Sequence, residues 1–194
     1  LWINFVLGIV FTFACMTTNA KKPTLEDFLS YFPEISLPVS LTEESAVSFS
    51  KLNKALPLSL IEEFIDTVET DYDEFTEFIP CLQFPVSNYI VAFVYWKATL
   101  LSYDYILMVI DAKSGGVIAK KVIGGTKVVE NRIFRSASMI SEELEIEVIV
   151  NEYEDKIENI YPLSTVKFHM EIMSEGNIIS EKEKKEVQGN NSEK

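Results

Sequence analysis

The 194 residues carry 30 acidic against 17 basic side chains, a formal net charge of −13, with one His and two Cys. Neutralising phosphates takes clustered Lys and Arg, so this balance argues against a nucleic-acid partner and equally disfavours an anionic lipid surface as a ligand. A zinc site would need more His and Cys than the chain holds, while the length suits one domain with a real core once its ends are set aside.

The first stretch, Leu1 to Met16, is almost uninterruptedly apolar over about the length of a signal-peptide core and short of a comfortable membrane span. It predicts an export signal, and two cleavage sites compete at its end. Thr12-Phe13-Ala14-Cys15 has the form of a lipobox, a small residue before a Cys that becomes lipidated; a polar tether, Thr17-Thr18-Asn19, follows. Thr18-Asn19-Ala20 fits ordinary signal peptidase. Cys15 is the favoured site, because a Cys at the end of an apolar run and before a polar tether is hard to explain otherwise. If Cys15 is lipidated or removed, Cys81 is the one thiol left, and an intramolecular disulfide is excluded.

Over residues 1–20 and in its general layout, the chain resembles small bacterial envelope lipoproteins. That resemblance implies export and a lipid anchor on Cys15 in the cell envelope, the alternative being a soluble periplasmic or secreted protein. In that setting the sequon-like Asn190-Asn191-Ser192 has no meaning.

From Pro23 on, Thr24 is an N-cap with Glu26 and Asp27 in the first turn, and Leu25, Phe28, Leu29 and Phe32 recur at helical spacing. A short helix is predicted before Pro33. Phe32 to Pro38, with its two prolines, is expected to be an extended strap packing Ile35 and Leu37 on the core. Leu60, Ile61, Phe64, Ile65 and Val68 mark a second amphipathic helix between Leu56 and Val68, a lid for one sheet face. Asp66, Glu69, Asp71, Asp73, Glu74 and Glu77 follow closely. They raise the question of Ca²⁺, but lack the spacing of a calcium loop and are interrupted by Tyr72, Phe75 and Phe78, so a solvated loop is expected.

Phe75 to Phe84 predicts a first strand, which Pro80 and Pro85 restrict to an edge or a bulge. The segment Asn88 to Ile123 is the richest in β-branched and aromatic residues, and predicts strand, turn, strand, turn, strand. In Tyr89 to Trp96 and in Tyr103 to Ile110 both alternating faces are apolar, so both strands need cover on two sides. Asp111 to Gly116 has hairpin chemistry, and a phosphate-binding loop is disfavoured because a strand follows it. Gly124-Gly125 is expected to be another turn, and Lys127 to Phe134 a strand. Leu144, Ile146, Val148 and Val150, then Val166, Phe168, Met170 and Ile172, predict two half-buried strands with charged outer faces. Gly176-Asn177 turns into a short strand at Ile178-Ile179, and 181–194 is expected to be a disordered charged tail.

The predicted fold class is α+β and β-dominated: two short N-terminal helices, then an antiparallel meander of about seven strands forming a curved sheet, a sandwich or a partly closed barrel. Residues 1–20 form signal and tether, and 21–180 a single domain. No catalytic residue, cofactor or metal ligand is assigned. His169 alternates onto a polar face between Lys167 and Glu171, and Cys81 has no basic neighbour to activate it. A non-catalytic envelope module binding a protein, peptide or glycan is therefore expected, attached to the membrane through lipid alone. The alternative is a carboxylate-dependent hydrolase acting on glycan, since abundant acids and aromatics permit one without signalling it.

Overall fold

A computed structural model describes residues 22–154, 161–182 and 186–187. The predicted N-cap holds: Thr24 accepts from the Asp27 amide and the Asp27 carboxylate accepts from the Thr24 amide, opening helix α1 (Leu25–Leu29), which buries Phe28. The strap behind it touches the sheet through Glu34 and Gln83 and lays Ile35 and Leu37 against the core. It leads into strand β1 (Val39–Leu41) and helix α2 (Glu43–Leu52), capped by Thr42 and Ser45. Helix α2 was not foreseen. Its serines and valine are weak helix formers, and it buries only Ala46 fully, so the apolar stripe that would reveal it is short. The lid helix between Leu56 and Val68 is composite: α3 (Leu58–Leu60) runs into a π-helical turn, Ile61–Ile65, that buries Ile61 and Ile65.

The remaining strands are β2 (Glu77–Pro85), β3 (Ile90–Ala98), β4 (Ser102–Asp111), β5 (Val117–Val129), β6 (Arg132–Ile140), β7 (Glu145–Glu154), β8 (Ser164–Ile172), β9 (Ile178–Lys182) and β10 (Glu186–Val187). All pairs are antiparallel in one sheet, ordered β10-β8-β7-β6-β5-β4-β3-β2, with β1 on β6 and β9 on β8. The sheet is β-meander in character and does not close. β2 forms one end and its register slips between Pro80 and Leu82, so the proline, expected at an edge or a bulge, lies in an end strand and at a bulge.

The two-sided strands divide their side chains between two cores. Ala92, Val94, Tyr105, Leu107 and Val109 join Leu41, Cys81, Ile123, Ile140, Ile146, Val148, Met170 and Ile172 in the first core. Phe93, Tyr95, Ile106, Met108 and Ile110 face the other way, against Phe28, Phe32, Leu56, Leu60 and Ile65 of the helical layer. Sharing of the first core by strands from β2 to β8 requires the sheet to coil strongly.

Strand β5 makes that coiling possible, and corrects one expectation. Gly124-Gly125 is no turn: it lies inside β5, which pairs with β4 along its length but with β6 only from Gly125 onward. Beyond Ser136, the partner of Gly125, β6 takes β1 as its partner instead, over Ser138 to Ile140. Gly125 has φ +133 and a Cβ there would sit 2.2 Å from the Tyr103 carbonyl oxygen, so the glycine lets two backbones meet at the bend. The chain reversal comes later, at Glu130 (φ 53) and Asn131, and splits the predicted strand Lys127 to Phe134 into two. Two smaller differences follow. Leu144 (φ 69) belongs to the turn before β7, and within the predicted tail Glu181, Lys182, Glu186 and Val187 are strand residues paired to β8. Backbone pairing with a strand already in place outweighs the solvation preference of a charged run. The hairpin at Asp111 to Gly116 forms as predicted, with Gly115 at φ +71.

Candidate functional site

The face of β3 that carries Phe93 and Tyr95 continues to Lys97, and an ammonium there is drawn under the helical layer. Lys97 is 8% exposed and Glu69, from the segment after the π-turn, 5%. Burial of either alone would be very costly, and the fold resolves it by joining them. Lys97 Nζ donates to Glu69 Oε2 at 2.9 Å and to the Asp71 carbonyl; Lys120 Nζ of β5 donates to Oε1 at 2.7 Å and to the Val68 carbonyl at 2.6 Å. The Tyr95 hydroxyl adds a third donor to the carboxylate, at 2.9 Å. Burial by itself raises the Glu69 pKa, but the bonds from Lys120, Lys97 and Tyr95 outweigh it and hold the carboxyl below its ordinary value. Both lysines thus fasten the 68–71 segment to the sheet through backbone and side chain together.

Fastening this segment builds a wall. Asp71, Tyr72 and Asp73 stand over the ends of β3, β4 and β5, and between them and the sheet residues Lys97, Asp104 and Lys127 lies a cleft of about 370 Å³. Asp73 is held by bonds from the Phe75 amide and the Thr76 hydroxyl, and the Tyr72 hydroxyl donates to Asp66. Asp104 is directly opposite Lys97 on one side and Gly125 on the other. Burial raises its pKa above the ordinary value, against the pull of Lys127 and Lys97.

Of the residues singled out in the sequence, Glu69, Asp71 and Asp73 of the acidic segment come to this site and the others fall elsewhere. Cys15 and the sequon lie outside the described residues. Cys81 is fully buried in the first core, and burial pushes its thiol pKa far up, so it is inert. His169 is exposed on the outer face of β8, between Glu147 of β7 and Glu181 of β9. The acidic segment is solvated only in part, because Glu69 turns inward; no group of three or more His, Cys, Asp or Glu among the described residues is placed to hold a metal ion. Of the strand aromatics, Phe93, Tyr95 and Tyr105 are buried, whereas Tyr89 is exposed with the Lys113 ammonium 3.3 Å from its ring centre. No helix among the described residues is long and apolar enough to cross a membrane.

Lys97, Lys120 and Asp104 were not identified from the sequence, and Glu69 was expected in a solvated loop. A signal was present for one of them: a Lys two positions beyond Tyr95 on an otherwise apolar strand face demands a counter-ion, and the acidic segment upstream was the place to seek it. Comparison with protein-family models, with curated proteins and with solved structures gave no match, so the site is interpreted from its own geometry.

Proposed function

We propose that this chain is a non-catalytic, exported module of the cell envelope, anchored by lipid on Cys15, that binds a ligand at the cleft beneath Asp71 to Asp73. The observation that carries the reading is the Glu69 node: it spends two lysines and a tyrosine on holding one wall of a polar cleft rigid. Preorganisation of this kind favours binding, since little freedom is left to lose when a ligand enters. The apolar stretch ending at Cys15 supports export and anchoring. The scaffold we infer is a sheet folded over on itself, sandwich-like, because β2–β4 and β6–β8 contribute to one core.

A second reading, a carboxylate-dependent hydrolase acting on glycan, is favoured by one specific feature. Asp104, made a weaker acid by burial, shares the cleft with Asp71 and Asp73, and a carboxyl with a raised pKa is what a glycosidase uses as its acid.

Affinity capture of the intact chain from envelope extract tests the first reading, with palmitate labelling and detergent partitioning of wild type and Cys15→Ala alongside. A captured envelope component, with membrane association lost in the variant, is the expected result. Turnover of a glycan by wild type that Asp104→Asn abolishes moves the assignment to the hydrolase, and unchanged partitioning of Cys15→Ala removes the lipid anchor from it.

A further inference from the structure

We propose that the cleft binds a neutral polyhydroxylated ligand, a sugar residue of a glycan, gripped between the Asp104 carboxylate and the Lys127 ammonium. This rests on the binding-module reading above and gives its ligand a chemical class.

Three observations lead there. The first is an open acceptor: Asp104 lines the cleft half-buried, under the charges of Lys127 and Lys97, and its carboxylate accepts no hydrogen bond from the described residues. Partial burial of a carboxylate is costly when few hydrogen bonds reach it, and a donor from a ligand would lower that cost. Next to Asp104 the facing position on β5 is Gly125, so no side chain occupies the floor there. The second is size. At about 370 Å³ the cleft is near the small end of ligand sites, roughly 300 to 1,000 Å³, which suits a ring or two and not an extended polymer in full.

The third is mixed charge, which discriminates between ligand classes. The lining sets Asp71, Asp73 and Asp104 against Lys97 and Lys127, and Lys97 is already neutralised by Glu69. A phosphate or carboxylate entering beside Lys127 would face three carboxylates at once. A polyamine would find those carboxylates but meet the Lys127 ammonium that already acts on Asp104. A hydroxyl both donates and accepts, so one vicinal pair can donate to Asp104 and accept from Lys127 with no net charge to bury. Ser102, opposite Lys127 in the β4–β5 register, adds a third polar group on the same floor.

The experiment is ligand-observed saturation-transfer NMR on the full chain in a detergent without a sugar headgroup. The probes are glucose, galactose, mannose and N-acetylglucosamine, with spermidine and inorganic phosphate as charged controls. Transfer to at least one neutral sugar and to neither control is expected. Asp104→Ala and Lys127→Met should each weaken it by about tenfold or more, the loss typical of a charge-assisted bond, with circular dichroism unchanged. Neither residue belongs to the Glu69 node, so the fold should survive both changes. Transfer to no sugar, transfer to spermidine or phosphate alone, or sugar binding indifferent to both variants overturns the proposal. If affinity capture still yields a partner in that case, the sugar assignment fails while the binding-module reading stands; if it yields none, both fail.

Discussion

Glu69 and Lys97 are 28 positions apart in the chain and 2.9 Å apart in the fold. Each makes the other's burial tolerable, and between them they tie the layer of helices to the sheet. Buried pairs of this kind add little net stability compared with apolar residues of the same shape, yet leave a large debt if one member is removed. Glu69→Gln, which takes the counter-ion from the Lys97 and Lys120 ammoniums and leaves them only backbone carbonyls, should cost about 3 to 5 kcal/mol in urea unfolding. The double variant Glu69→Leu, Lys97→Met should cost less than Glu69→Gln alone. A double variant worse than the single would mean that the pair attracts strongly enough to outweigh its desolvation.

The two carboxyls flanking Lys97 should respond to pH in opposite directions. Glu69 has its folded pKa held below 4.5, so its contribution to stability is complete above that value and is lost as pH falls through the folded pKa. Asp104 has its folded pKa raised above 3.8 by burial, so its ionised form costs stability at neutral pH and that cost vanishes as pH falls below 3.8. Asp104→Asn should therefore stabilise the protein at pH 7, by an amount that shrinks on acidification. A destabilised Asn variant at pH 7 would show that the carboxylate has a partner in solution that the amide cannot replace.

Gly125 holds the bend of β5. With φ at +133 and a Cβ contact of 2.2 Å to a backbone oxygen, Gly125→Ala has to move β4 or β5, at a cost of about 2 to 4 kcal/mol measured by thermal unfolding. Gly115→Ala is the control: its φ is +71 but the nearest atom is 3.9 Å away, so about 1 kcal/mol is expected. Equal effects at the two sites would place the penalty in φ alone.

Cys81 is buried among the apolar residues of the first core. In a Cys15→Ala background, a chromogenic disulfide reagent should leave Cys81 untouched in native buffer and titrate it fully in denaturant. Prompt reaction in native buffer would reveal opening of the β2 edge.

His169 projects from the outer face of β8. His169→Gln should change unfolding free energy by no more than roughly 0.5 kcal/mol and leave ligand capture intact. Loss of a measured activity with the fold preserved would make this imidazole the first candidate for a catalytic group.

Much of the architecture was readable in the chain itself, because local rules act over a few residues. Alternation assigned each side chain of β3 and β4 to its face, and the structure divides them in the same way between the two cores. Thr24 and Asp27 announced a helix start, Pro80 an edge strand or a bulge, and Asp111 to Gly116 a hairpin. Position in the third dimension was needed for the rest. Two adjacent glycines carry the same local preference for a turn and for a bend, and the approach of the Tyr103 carbonyl, 22 positions upstream of Gly125, selects the bend. In the same way an acidic run is a solvated loop by composition, and what draws Glu69 out of it is a pair of lysines delivered by β3 and β5. The cleft follows from that capture: its wall is local sequence, its floor is three strands brought side by side, and only their meeting puts Asp104 and Lys127 in one cleft.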